Sequence, residues 1–93
     1  MAMKQTILEK INQREYQILV HSFLYYKLDK NIIDDSKFDF FMYDLVELMK
    51  NHENEFLKSV FYSEFKGFKG GTGADLKYDT EQIRRISNIL IYN

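Results

Sequence analysis

Tyr25, Tyr26, Asp35 and Asp39 are the residues of this chain whose types and spacing could carry chemistry. Asp35 and Asp39 stand four apart with Phe38 between them, so a helix through this segment puts all three on one face. The faces of aromatic rings and ionised carboxylates both favour positive charge, which makes an aromatic pair opposite two acids a receptor for a flat organic cation. A plainer role is open to the same residues. Phe38 and one tyrosine can be core, while carboxylates in the first turns of a helix are stabilised by its dipole at about 0.3–1 kcal/mol each. That dipole also favours the charged form, which suits binding a cation better than transferring protons.

No other constellation supports a reaction. His21 and His52 have no companion ligands at metal-binding spacing, and cysteine is absent, so neither a zinc site nor a thiol nucleophile is expected. Ser22, Ser36, Ser59, Ser63 and Ser87 lie in no Gly-x-Ser-x-Gly context, and catalysis by this chain is not expected. The segment GFKGGTGADLKYD holds Gly67, Gly70, Gly71 and Gly73, with Lys66, Lys69 and Lys77 around it. Backbone N–H groups in such a loop can cradle an anion. However, Gly73 runs into ADLKYD and not into the Lys-Ser or Lys-Thr of a phosphate loop, so the segment reads either as a structural turn or as a ligand or partner contact.

The elements that must position these residues are helices. There is no proline, and no glycine precedes Gly67, so only polar turn residues interrupt helix over the first two thirds. Ile7, Ile11, Ile18 and Tyr25 share one face at helical spacing, with Leu8, Leu19 and Tyr26 beside them, which predicts a first helix from about Lys4 to Leu28. The turn between Asp29 and Asp34 should seat Ile32 and Ile33 in the core. Asp34 can cap a second helix, whose apolar set is Phe38, Phe41, Met42, Leu45 and Met49. Beyond Asn51 the pattern predicts a short helix over Glu55 to Val60 passing into an extended FYSEF. After the glycine loop, Asp79 or Thr80 should cap a last helix that buries Ile83, Ile86 and Leu90. The expected fold is mainly α, one domain over 1–93. An antiparallel helical hairpin occupies 4–53, and 54–93 supplies a short extended segment, the Gly-rich loop and a C-terminal helix, with room for one short strand or hairpin.

Composition narrows the partners. Apolar residues are 45% of the 93 and aromatics 16%, enough to build a core from rings. No apolar run reaches the ~20 residues of a membrane span, and MAMKQTILEK lacks the apolar stretch of a leader, so no membrane contact and a cytoplasmic location are expected. The net charge of −1 argues against general nucleic-acid binding, though Lys66, Lys69, Lys77, Arg84 and Arg85 would be the residues for it. Acids predominate between Asp34 and Glu55 and bases between Phe65 and Arg85, a dipolar surface of the kind that steers a charged partner.

The run YYKLDKNIIDDSKFDFFMYDLVELMKNHE resembles the small N-terminal domain of bacterial NAD-dependent DNA ligases, a helical hairpin that grips the nicotinamide mononucleotide (NMN) half of NAD. The resemblance covers about Ile7 to Glu53 and implies that Tyr25, Tyr26, Asp35, Phe38 and Asp39 contact NMN or NAD. Phe38 stands where that family usually has tyrosine, and Asn31 where it often has proline. The segment from Phe61 to Leu90 is similar to the end of short ligase-related phage proteins. In 93 residues there is no room for the family's adenylation, OB-fold, zinc-finger and helix-hairpin-helix parts, so ligase activity is not expected and no cofactor is required. Two functions follow as expectations. In the first, the chain acts stoichiometrically on a host protein, a ligase adenylation domain or a defence nuclease, as inhibitor or modulator, through the acids Asp35, Asp39, Asp44 and Glu47. In the second, it is an NMN- or NAD-type nucleotide-binding module.

Overall fold

The computed structural model describes residues 4–92. Met1, Ala2 and Met3, which open the segment examined above for a leader, and Asn93 lie outside them. Helix α1 (Ile7–Ser22) starts where Thr6-x-x-Glu9 forms a capping box. The Thr6 hydroxyl accepts from the Glu9 N–H at 3.1 Å, and the Glu9 carboxylate accepts from the Thr6 N–H at 2.8 Å. That pair sets the start three residues later than the apolar pattern alone suggests. The backbone then widens by one residue into a π-helical turn, Phe23–Lys27.

Helix α2 (Asp35–Asn51) opens as expected on Asp34, whose carboxylate accepts from the Lys37 N–H at 2.8 Å and from the Ser36 hydroxyl at 2.9 Å. It returns antiparallel along α1. Arg14 bonds Asp44 at 2.8 Å and lays its guanidinium over the rings of Phe40 and Phe41, and His21, further along α1, meets Phe41. Phe41, Met42 and Leu45 are buried, and Phe38 and Met49 pack against them in part. Ile33 joins this core, but Ile32 remains about half exposed.

The chain next forms α3 (Glu53–Leu57) and α4 (Tyr62–Phe65). The expected extended FYSEF is therefore a helical turn, and the described residues contain no strand. The reason lies in α1. Glu15 and Asn12 accept the N–H groups of Phe61 and Val60 at 3.0 and 2.9 Å, so the segment entering α4 has its donors satisfied without a neighbouring strand. Phe56 and Phe65 are thereby turned into the core.

Helix α5 (Glu81–Tyr92) packs against α1 and the π-helical turn. Of the two candidates for its cap, Thr80 fills the role by accepting from the Ile83 N–H, while Asp79 pairs with Arg84 and Lys27. Ile83 and Ser87 are buried, Ile86 and Ile91 partly so. Leu90 is exposed, contrary to the sequence pattern. The contact follows the i+4 row Ile83, Ser87, Ile91, and small Ser87 at its centre admits a close approach between helices. No helix among the described residues is long and apolar enough to cross a membrane.

Glu15 is fully buried. Its two oxygens accept from the Ser59 hydroxyl at 2.8 Å and the Phe61 N–H, and burial, outweighing both bonds, raises its pKa above the usual carboxylate range. A raised folded pKa means that the fold holds this proton better than the unfolded chain does. The associated stability is fully present below the unfolded value of about 4.3 and is lost as pH rises through the folded one. Glu15→Gln keeps an acceptor for Phe61 and removes the titration, so its stability relative to the native chain should increase as pH is raised above about 4.3 in urea unfolding. Glu15→Ala, which strands both donors, should cost about 2–4 kcal/mol at neutral pH. A flat difference curve for Glu15→Gln would refute this account.

Candidate functional site

The site lies where α1 hands over to α2. In the π-helical turn the Leu28 N–H reaches back five residues to the Phe23 carbonyl at 3.3 Å, one residue further than the i−4 bond of an α-helix. Such widened turns occur often at functional sites. The turn closes on Asp29, whose φ of 54° is left-handed, and the Lys30 N–H bonds the Leu24 carbonyl at 2.8 Å. Asp tolerates this conformation better than most residues.

Tyr25 and Tyr26 therefore leave the helix end together, half exposed, with their rings edge to face at 4.9 Å. Tyr26 is anchored twice, by stacking on Tyr78 and by a hydroxyl contact of 3.0 Å with Thr72 of the glycine loop. Across from them the first two turns of α2 present Asp35, Phe38 and Asp39. All five residues border one cavity of about 220 Å³, with Ile33 and Met42 among its apolar lining and Gly71 at one edge. The structure thus brings together every residue named for a ligand.

Charge around the cavity is mixed. Lys30 and His21 also border it. Burial, with Lys37 nearby as a lesser cause, lowers the pKa of His21 below its ordinary value of about 6.5, so the imidazole is neutral at pH 7 and does not oppose a cation. Phe38 offers only its ring at the position where a tyrosine would add a hydroxyl.

The four acids expected to meet a partner do not form one face. At about 100° per residue Asp44 lies on the opposite side of α2 from Asp35. Asp44 is bound to Arg14, and Glu47 reaches Lys50 at 3.4 Å. The basic residues considered for nucleic acid are likewise dispersed, with Arg84 on Asp79 and Arg85 on Glu81. Among the described residues no group of three or more His, Cys, Asp or Glu side chains could hold a metal ion.

Sequence reasoning missed how the glycine loop serves the cavity. Gly70 and Gly71 have φ of 83° and 87°, which only glycine adopts without strain. Gly73 is buried for a different reason: a Cβ there would run into the Ser22 hydroxyl and stand 3.5 Å from Phe38 Cζ. The loop is wedged between α1 and the aromatic wall of the cavity. The buried serine in the apolar run from Ile18 to Leu24 was the visible signal, because a small side chain amid large ones leaves room for a backbone. No protein-family model, curated protein or solved structure matches the chain.

Gly73→Ala should destabilise the fold by about 1–3 kcal/mol through overpacking. Adding Ser22→Ala removes the nearest atom and should restore part of that loss, giving a favourable coupling in a double-mutant cycle. Thermal unfolding of the four chains measures it, and strict additivity would show that the wedge is not where the strain arises.

Proposed function

We propose that this chain is a non-catalytic binding protein whose helix-junction cavity receives the flat cationic end of a nicotinamide nucleotide, NMN or NAD. One observation supports this reading above the rest: Tyr25, Tyr26 and Phe38 supply rings, and Asp35 and Asp39 supply charge, around a single cavity. Its size fits one ring. At about 220 Å³ it falls below the roughly 300–1,000 Å³ of pockets that enclose drug-sized ligands, so ribose and phosphate would stay outside, near Lys30. The resemblance to the NMN-gripping domain of DNA ligases points the same way.

A second reading, stoichiometric action on a host protein such as a ligase adenylation domain or a defence nuclease, draws on the outer side of α2. Phe40 and Tyr43 are exposed there by more than half, and aromatic residues are enriched in protein interfaces. Such binding would use those rings more than the acids, two of which are paired within the chain.

NMR titration separates the two. NMN at about millimolar concentration should shift amides from Tyr25 to Asp39 and at Gly71, and Asp35→Asn with Asp39→Asn should abolish the shifts, since the pyridinium loses its counter-charge. The protein-partner reading predicts instead that Phe40→Ala with Tyr43→Ala abolishes capture of the partner while NMN is indifferent. Absence of any NMN shift in the native chain would remove the nucleotide reading.

A further inference from the structure

At the other end of α2 the fold leaves an open apolar groove that the cavity does not explain. Its floor is Val46 and Met49, and its walls are Phe56 and Leu57 of α3, Tyr62 of α4 and Phe68 beyond it, around a space of about 610 Å³. Leu57 is more than half exposed. The rim carries Lys50, Lys66 and Lys69 against the single acid Glu53, and neither Lys66 nor Lys69 pairs with any described residue.

We propose that this groove docks an acidic amphipathic helix of a partner protein. An apolar trough flanked mainly by positive charge fits a helix that offers leucine-like anchors at i, i+3, i+4 and i+7 with carboxylates on the flanking positions. The lining favours such an occupant. Met49 can reshape itself around varied side chains, and Phe56, Tyr62 and Phe68 are the residue types that dominate the cores of interfaces. The charge runs opposite to that of the other end of α2. There Asp35 and Asp39 would repel the carboxylates that Lys66 and Lys69 attract, so one partner helix has one place to lie.

The proposal does not depend on nucleotide binding and is tested apart from it. The probe is a capped helical peptide of about four turns, leucines at i, i+3, i+4 and i+7 and glutamates on the flanks, with a control that carries lysine in place of every glutamate. In NMR titration the glutamate peptide should shift amides of Val46 to Lys50, Phe56, Leu57 and Phe68, and bind about ten-fold more tightly than the lysine peptide. Lys66→Glu with Lys69→Glu, both exposed and therefore neutral to folding, should invert that preference, and Asp35→Asn with Asp39→Asn should leave it unchanged. Equal affinity for the two peptides, or shifts confined to other surfaces, overturns the proposal. So does a result in which dodecanoate fills the groove and neither peptide binds, which would make it a lipid site.

Discussion

The enclosure of the end of α1, from Ile18 through the start of the π-helical turn at Leu24, is the constraint on which the rest of this fold depends. From Ile18 to Leu24 every residue except His21 is less than a tenth exposed, and at about 100° per residue these positions cover about two thirds of the circumference. A buried stripe this wide needs more than one neighbour to cover it, while Glu9, Lys10 and Gln13 keep one side of the first half of α1 exposed. Here α2, α3 and α5 all pack against α1, and the loop at Gly73 fills a further approach at Ser22. Glu15, fully buried on α1, finds its hydrogen-bond donors in the segment packed over it. Glu15 and Asn12 therefore become acceptors for the passage from Ser59 to Phe61. A buried charge of this kind is weak evidence for added stability, yet removing it would leave donors stranded. Its effect is to fix where α4 begins, and so where the wall of the groove stands.

What the sequence made legible follows the range over which a pattern repeats. The hairpin could be read because the apolar stripe of α2 recurs over four turns and Asp34 announces its start; the structure has both. The five residues named for a ligand could be placed together because two of them end one long helix and three begin the next. Short elements gave no such signal. FYSEF makes barely one helical turn, and one turn of Phe, Tyr, Ser, Glu and Phe alternates as well as a strand does; its form was decided by acceptors some forty-five residues away. Leu90 failed similarly, since helical periodicity names a face but not which row of that face a neighbour will cover.

The π-helical turn and the glycine wedge were illegible for a related reason. Neither is set by local preference. The extra residue in the turn lets Tyr25 and Tyr26 emerge side by side, and Tyr26 is then held by Tyr78 and Thr72, residues that only the tertiary fold brings near. Likewise, counting glycines identifies a loop, whereas distinguishing Gly73 from Gly67 requires knowing that Ser22 faces one of them and nothing stands near the other.

The charge arrangement along α2 admits a structural explanation only in part, and the remainder is what gives the functional readings their force. Asp34 caps the helix, Asp35 lies in its first turn and Lys50 in its last. All three suit the helix dipole, whose influence fades within a turn of either end. Asp39 lies beyond that first turn, and among the described residues it makes no hydrogen bond or ion pair that would require an acid there. Lys66 and Lys69 belong to no long helix and stand on the rim of an apolar groove. The dipole would leave these three positions free to be any solvated residue. They are instead an acid at a ring-lined cavity and two bases at a ring-lined groove, each placed where an opposite charge brought in from outside would find aromatic surface beside it.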